Sequence, residues 1–278
     1  MKNYKLLLIG AIYTSIAVGC QSNIPVEKTY TMYPPSYWPD QHRQVALKGY
    51  LYAQMANNTY GQKGDKYSSD TKDFVLPIDW SVTHFGNNDL GFAYSIFQKT
   101  INDKPQEVVI AFRGTEGLTN WKDFYYGNLR AKQNKLAIKT YEKTRKMLDT
   151  NGYKDVPIVL VGHSLGGALA IHTAINADEE VPYFVFNSSP RFNDLDPEKN
   201  KDRKIDITKR NSIVETGEFL YSLRFPAQEA NQTYTPFNCE RFDKTFSAHG
   251  IEKLAKCLTS VAHLNDPAAT GEMVPKSK

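Results

Sequence analysis

Apolar and polar residues follow a helical period in several parts of this chain, and these parts predict its helices. Residues 42–57 carry apolar side chains at helical spacing, which predicts a first helix. Residues 133–149 form a second amphipathic stretch that ends near Asn151 and Gly152, a pair typical of a helix C-terminus. Towards the end of the chain, apolar residues recur every three or four positions over 251–261 and predict a final helix.

Other segments have the alternating or continuously apolar pattern of strands. Residues 90–98 alternate and residues 107–112 are apolar after Glu107, so with a turn at 101–106 they predict a hairpin. Further along, the pattern gives a strand, a helix and two strands, at 157–161, 165–177, 183–186 and 222–225. The β-α-β order predicts an α/β fold with a mostly parallel central sheet and helices on both faces.

The N-terminus has the pattern of an export signal. Residues 1–19 combine a basic start with an apolar run that is too short to span a bilayer, and a small residue precedes Cys20. The stretch from Ala17 to Cys20 resembles a bacterial lipobox, with alanine where leucine is usual, so we expect lipidation of Cys20 and attachment to a membrane surface. These features predict an outer membrane lipoprotein, and a soluble periplasmic or secreted protein is the alternative.

Removal of residues 1–19 takes away Lys2 and Lys5 and lowers the formal net charge from +4 to +2. No basic stripe stands out, so we expect no nucleic-acid partner, and the sequence does not identify a protein partner. Residues 20–40 are rich in proline and predict an extended tether, which leaves residues 41–278 as one domain.

Besides Cys20, two cysteines remain in the predicted mature chain. Cys239 and Cys257 are compatible with one disulfide in an oxidising compartment, and the alternative is a pair of buried thiols. Spacing alone does not decide between the two.

The clearest chemical motif follows the strand at 157–161. Gly162-His163-Ser164-Leu165-Gly166 connects this strand to a helix of small residues, which is typical of a nucleophile elbow. In such a turn a serine hydroxyl is projected towards a general base and next to backbone N–H donors. We therefore interpret Ser164 as a nucleophile, and the alternative is a glycine-rich turn that happens to contain a serine.

A serine nucleophile also needs donors for the oxyanion that forms during its attack. One is the backbone N–H of the next residue, Leu165. A second would come from the segment Phe112-Arg113-Gly114-Thr115, which leaves a buried strand. This segment resembles one that precedes the elbow in the class 3 lipases, where a serine or threonine supplies the other donor. The resemblance gives this role to Thr115 and implies the α/β-hydrolase fold.

Two further segments extend the resemblance to the class 3 lipases. Residues 120–123 and 128–129 are similar to the family's segment after the oxyanion loop, although Asn120 stands in place of an acid. Residues 187–193 are similar to the family's turn after the next strand. The resemblance covers residues 108–193, and no sharp signature appears outside them.

The fold orders its catalytic residues as serine, then acid, then histidine, which directs attention to the last part of the chain. Residues 213–218 resemble a strand ending in the family's Gly-Asp step, with Glu218 in place of aspartate. We favour Glu218 as the acid, and Glu215 or another carboxylate such as Asp194 is the alternative. For the base we favour His249, which precedes the final helix, over His263, which lies near its end.

Together these residues predict a serine hydrolase with a Ser164–Glu218–His249 triad. The resemblance and the predicted anchor imply lipid esters as substrate, cleaved as by a triacylglycerol lipase or a phospholipase A. A catalytically inactive surface lipoprotein that binds lipid or a protein partner is the alternative. No residue cluster has metal-ligand spacing and no phosphate-binding loop appears, so we expect no cofactor and no metal.

Overall fold

The computed structural model of this chain describes residues 37–62, 72–114, 128–190, 202, 204–224, 232–240 and 249–276. The predicted signal at 1–19, Cys20 and most of the predicted tether lie outside these residues. The helices and strands of the described part are α1 (Asp40–Asn58), β1 (Lys72–Phe74), β2 (Trp80–Asn87), β3 (Ala93–Ile101), β4 (Lys104–Phe112), α2 (Asn128–Thr150), β5 (Ile158–His163), α3 (Leu165–Asn176), β6 (Tyr183–Phe186), β7 (Arg210–Glu215), α4 (Tyr221–Arg224), β8 (Thr233–Phe237), α5 (Ile251–His263) and β9 (Met273–Pro275).

Seven strands form the central sheet in the order β2-β3-β4-β5-β6-β7-β8. The pairs β2/β3 and β3/β4 are antiparallel, and every later pair from β4 to β8 is parallel. The strand β5 therefore lies in the middle of the sheet, with β4 and β6 on either side. This topology confirms the predicted α/β fold with a mostly parallel sheet.

Helices cover both faces of the sheet, as predicted. The helices α1 and α5 pack against each other on one face, and the amide of Gln54 on α1 donates to Thr259 Oγ1 on α5 at 3.0 Å. The helices α2 and α3 pack together on the opposite face, where apolar residues of β4, β5 and α3 form a second buried cluster. Both layers bury apolar surface, which is the main stabilising contribution to such a fold.

The final helix α5 has the apolar face that the sequence predicts. Its periodic positions are all buried, namely Ile251, Leu254, Ala255, Leu258 and Val261. Each fully buried leucine or valine contributes roughly 1.5–3 kcal/mol. This contact fixes α5 against α1 and thereby fixes the position of His249, which lies two residues before the helix begins.

A second sheet joins the segment after α1 to the C-terminal part of the described chain. Strands β1 and β9 pair antiparallel, and the side chain of Asn58 at the end of α1 bonds both the N–H and the carbonyl of Phe74 at 2.8 Å. Lys276, just after β9, pairs with Asp73 at 2.9 Å and donates to the carbonyl of Tyr60. The residues that follow α1 are therefore held by the C-terminal strand.

Three local predictions differ from the structure, and two of them concern a hairpin turn and the predicted tether. The hairpin turn between β3 and β4 is not residues 101–106 but the pair Asn102 and Asp103, with φ of 50° and 59°. Two consecutive positive φ values suit the tight turns that match the twist of a hairpin, so β4 begins already at Lys104. Near the other end of the domain, Trp38 is buried against Phe237, although the sequence places it in the tether.

The predicted strand at 222–225 is wrong, because Tyr221–Arg224 is the short helix α4. The turn at Glu218 starts this helix: its side chain accepts from the N–H of Leu220 at 3.0 Å and its carbonyl accepts from Tyr221 N–H at 2.9 Å. The sheet position next to β7 is taken by β8 instead. The end of α2 agrees with the sequence, since Gly152 adopts a φ of 83° directly after it.

Candidate active site

The chain turns sharply at Ser164, between the central strand β5 and the helix α3. Ser164 has φ 55° and ψ −124°, a backbone conformation that a residue with a side chain rarely adopts. Its N–H donates to Phe186 O at 3.0 Å, and its carbonyl accepts from the N–H of Ser189 at 2.9 Å. Both contacts come from the end of β6 and hold the bend in place.

Close packing around this bend leaves no room for a side chain at two positions. A Cβ at Gly162 would overlap the backbone of Gly166, and a Cβ at Gly166 would overlap the carbonyl of Phe112 at the end of β4. Glycine is therefore required where β4, β5 and α3 meet. The two glycines of the motif are therefore explained by the close packing of the backbone at the elbow.

The structure brings Ser164 together with His249 and Glu218. His249 Nε2 lies 3.0 Å from Ser164 Oγ, and His249 Nδ1 lies 2.7 Å from Glu218 Oε2. A carboxylate only accepts, so Nδ1 carries a hydrogen and neutral His249 presents an unprotonated Nε2 to the serine. This is the geometry required of a nucleophile, a general base and the acid that orients the base.

Glu218 is buried and has a cationic partner that no motif in the sequence indicates. The guanidinium of Arg224 forms an ion pair with Glu218 Oε1, and both side chains are almost completely buried. Arg224 Nε also donates to the carbonyl of Ser188. Glu218 Oε2 accepts from His249 and from the N–H of Leu220. The carboxylate therefore faces hydrogen-bond donors at both oxygens, which fixes its orientation.

The rival carboxylate, Glu215, has a different set of partners. Its oxygens accept from the N–H of Cys239 at 2.8 and 3.0 Å and from the N–H of Glu240 at 2.9 Å. Burial raises the pKa of Glu215 to about 8, and the nearby charges of Glu240 and Glu218 act in the same direction. Glu215 thus holds the segment after β8, while Glu218 contacts His249.

His263, the second candidate for the base, lies at the end of α5 and points Nδ1 towards the carbonyl of Ala269 at 3.1 Å. Asp194 and Thr115 lie outside the described residues.

Leu165 is the first residue of α3, so its N–H belongs to the helix's first turn, whose N–H groups have no partner within the helix. Gly114 is close to the elbow, since a Cβ there would lie 3.1 Å from Ser164 Cβ.

Two residues without a predicted role, His163 and Tyr60, adjoin this site. His163 lies in the elbow motif next to Ser164, and its Nε2 lies 2.7 Å from the carbonyl oxygen of His249. Its Nδ1 lies 2.8 Å from the hydroxyl of Tyr60. Burial, and then the neighbouring His249, lower the pKa of His163 well below its usual value, so the ring is neutral. No motif predicts Tyr60, which follows α1 far earlier in the chain.

A disulfide encloses the segment that carries His249. Cys239 follows β8 and Cys257 lies on α5, and they are bonded with Cα atoms 5.9 Å apart. Both cysteines are buried. The bond closes a loop that begins at the edge of the sheet and ends in the helix after His249.

Within the described ranges, no three histidine, cysteine or acidic side chains are grouped as a metal site would require. The helices of those same ranges include none with both the length and the apolar character for crossing a bilayer.

Comparison with known proteins matches this chain to a phospholipase-like family model and to lipases. A family model described as a Tle-like phospholipase domain matches residues 52–201, a range that contains Tyr60, His163 and Ser164 and ends before Glu218. The lipase ZK262.3 of Caenorhabditis elegans is 26% identical over 155 residues, covering 49% of this chain and 42% of the nematode protein. The chain therefore spans less than half the length of this relative.

Solved fungal lipases share a similar course of the backbone at low sequence identity. Lipase II from Rhizopus niveus aligns with 66% of this chain and 76% of its own, with a TM-score of 0.47 and 13% identity. The propeptide complex of Rhizomucor miehei lipase aligns with 68% of this chain and 66% of its own, with a TM-score of 0.45 and 13% identity. Because the family model covers more than half of its length, this chain belongs to the Tle-like phospholipase domain family, in agreement with the lipase-like resemblance of its motifs.

Proposed function

We propose that this protein is a serine hydrolase that cleaves carboxylic esters of lipids. One observation carries the proposal: Ser164 Oγ, the imidazole of His249 and the carboxylate of Glu218 form a continuous hydrogen-bonded row at 3.0 and 2.7 Å. Membership of a phospholipase-like family supports the same chemistry.

The first half of the reaction transfers the acyl group to Ser164. His249 Nε2 takes the hydroxyl proton while Oγ attacks the ester carbonyl, and the carbonyl oxygen becomes an oxyanion. The N–H of Leu165, with a second donor at Thr115, would stabilise this charge, a contribution worth several kcal/mol in such sites. His249 then gives its proton to the alcohol oxygen as the carbon–oxygen bond breaks, and an acyl-enzyme and a free alcohol result.

The second half returns the enzyme to its starting state. A water molecule gives a proton to His249 Nε2 and attacks the acyl carbonyl. Collapse of the new oxyanion breaks the bond to Oγ, which recovers its proton from His249, and the carboxylic acid leaves. Glu218 stabilises the imidazolium that forms in both halves, while Arg224 holds the carboxylate of Glu218 in place.

Two observations support a lipid as the substrate class. The matching family is described as a phospholipase domain, and the nematode relative is named a lipase. The predicted lipidation of Cys20 would also hold the enzyme at a membrane surface, where its substrate is concentrated. We infer a phospholipase A or triacylglycerol lipase activity on this basis.

An activity-based probe tests the proposal. A fluorophosphonate should label the wild-type protein, and Ser164→Ala should abolish both labelling and ester hydrolysis. Ser95→Ala is the matched control, because Ser95 is a fully buried serine on β3 whose hydroxyl has no partner among the described residues. Phosphatidylcholine vesicles and triolein emulsions then separate the two lipid activities. A wild-type protein that binds such vesicles but gives neither labelling nor product would be the inactive lipid-binding protein instead.

We further propose that the protein is exported and lipidated at Cys20. Cells fed an alkyne analogue of palmitate should yield labelled wild-type protein in the membrane fraction and unlabelled, soluble Cys20→Ala protein. Unlabelled wild-type protein in the periplasm or medium would indicate an ordinary secretory signal and would overturn the anchor.

A further inference from the structure

Tyr60 and His163 form a row of hydrogen bonds behind the proposed triad. The N–H of Gly114 donates to the hydroxyl oxygen of Tyr60 at 3.1 Å. The hydroxyl lies 2.8 Å from His163 Nδ1, and His163 Nε2 lies 2.7 Å from the carbonyl oxygen of His249. This row runs from the residue before Thr115 to the backbone of the proposed base.

Only one arrangement of hydrogens satisfies every contact in this row. A carbonyl oxygen only accepts, so His163 Nε2 must carry a hydrogen and donate to His249. The buried ring is neutral, which leaves Nδ1 as an acceptor for the hydroxyl hydrogen of Tyr60. The hydroxyl oxygen then accepts from the N–H of Gly114. Each atom in the row is therefore either a donor or an acceptor of a given bond, and all the hydrogen bonds run in one direction from Gly114 to His249.

We propose that Tyr60 and His163 are positioning residues that hold the general base and the oxyanion segment in register around Ser164. This inference rests on the proposed function. His163 holds the carbonyl of His249 from the side of the sheet, and Asn187 Nδ2 donates to the same oxygen at 3.1 Å. Tyr60 holds the backbone directly before Thr115. Neither side chain takes part in proton transfer with substrate.

Tyr60 is well placed for this task because its own backbone is fixed from outside the site. Its carbonyl accepts from Lys276, which also pairs with Asp73 at 2.9 Å. The N–H of Tyr60 donates to Asn57 O at 3.0 Å, at the end of α1. A positioning side chain acts only if its support is rigid, and here α1 and the β1/β9 sheet supply that support.

Tyr60→Phe tests the inference, because it removes the hydroxyl and retains the ring, which packs edge-on against His163 with centroids 5.8 Å apart. The matched control is Tyr52→Phe on α1, whose hydroxyl donates to Glu107 at 2.7 Å and has no contact with the site. Tyr60→Phe loses two hydrogen bonds, one to His163 and one from the N–H of Gly114, whereas Tyr52→Phe loses one, so Tyr60→Phe should lose somewhat more thermal stability. Tyr60→Phe should in addition lower kcat about tenfold to hundredfold, with KM within about twofold, as expected for a misplaced catalytic group.

Rescue at position 163 gives a second test. Glutamine can place an amide nitrogen near the position of Nε2, whereas asparagine is one methylene shorter. His163→Gln should therefore retain several times the kcat of His163→Asn, and the two should unfold at similar temperatures.

Three outcomes would overturn the positioning role. The first is a kcat of Tyr60→Phe equal to that of Tyr52→Phe. The second is a kcat of Tyr60→Phe that equals the wild-type value at temperatures well below the melting temperatures of both proteins, because the loss of activity would then come only from unfolding. The third is equal activity of the glutamine and asparagine variants at position 163. Hydrolysis by Ser164→Ala would instead refute the proposed function, so the two failures are distinguishable.

Discussion

Replacing Glu218 by glutamine perturbs the proposed triad and the buried ion pair together. Three donors converge on the carboxylate: His249 Nδ1, the N–H of Leu220 and the guanidinium of Arg224. Glutamine offers one accepting oxygen and one NH₂ group that only donates. Its NH₂ group must therefore face one of the groups that donate to the carboxylate in the wild type. Arg224 cannot accept, and the amide oxygen should therefore turn to the guanidinium and the NH₂ to His249. In that state Nδ1 accepts, Nε2 carries the hydrogen and the serine has no base.

The expected losses of kcat and of folding stability in Glu218→Gln can be given as orders of magnitude. Loss of the correct tautomer in a serine triad lowers kcat by about 10⁴-fold, and we expect a loss of about 10³–10⁴-fold for Glu218→Gln. The ion pair between Glu218 and Arg224 is at most 4% exposed, so solvent does not screen it. Removing one partner of such a pair typically costs about 3–5 kcal/mol. The lower end applies here because the amide oxygen still accepts one hydrogen bond from Arg224.

A double-mutant cycle separates catalysis from stability. Arg224→Met alone leaves a buried carboxylate without its cation, and Glu218→Gln alone leaves a buried cation without its anion. The double variant has neither charge, and its free energy of unfolding in urea should exceed the additive expectation by about 1–3 kcal/mol. Its kcat should stay far below wild type, since no carboxylate stabilises the imidazolium. Glu215→Gln is the matched control and should keep kcat within a few-fold, because its carboxylate contacts backbone N–H groups.

Two results would refute this reasoning. If Glu215→Gln lost activity and Glu218→Gln kept it, the acid would be Glu215 and the contact with His249 would have no catalytic role. If the double-mutant cycle were additive, the buried charges of Glu218 and Arg224 would not be coupled.

Three further predictions concern stability. Reduction of the Cys239–Cys257 bond, which joins residues 18 positions apart, should lower the free energy of unfolding by about 3 kcal/mol in urea titrations, and an unchanged midpoint would contradict this. The folded-state pKa of Glu215 is about 8, above its usual 4.5, so wild type should lose stability relative to Glu215→Gln as pH rises through this window; parallel melting curves from pH 5 to 9 would disprove the shift. Gly166→Ala should cost about 1–3 kcal/mol in chemical unfolding and lower kcat, whereas Gly271→Ala, whose Cβ would lie 3.5 Å from its nearest neighbour, should be neutral; equal effects would contradict the packing argument.

Local sequence was sufficient for parts of the molecule whose geometry depends on adjacent residues. The elbow at Ser164 was identifiable because strand, turn and helix follow one another within a few positions. The periodic pattern of α5 likewise predicted its buried face. For Glu218 and His249 the sequence supplied only an order along the chain, and the distances between them come from the sheet. Their catalytic roles stay predictions until the variants are measured.

Contacts between distant parts of the chain had no sequence signal. Tyr60 and His163 are 103 positions apart, and the motif that contains His163 does not indicate that Tyr60 is its partner. Arg224 was assigned to a strand because its neighbours favour β-structure, whereas the side chain of Glu218 starts a helical turn there. Local hydrogen bonds of Glu218 to Leu220 and Tyr221 outweighed the strand propensity of residues 222–225 at that point.

The position of His249 has a consequence for how activity appears during synthesis and refolding. A nascent chain that ends before residue 249 already contains the serine and the acid, yet a lone hydroxyl is a weak nucleophile. The imidazole arrives with the final helix, and that helix is held by its packing on α1, the first helix of the domain. Hydrolysis should therefore begin only after α5 has packed on α1. The time at which activity appears during refolding then measures when this packing step occurs.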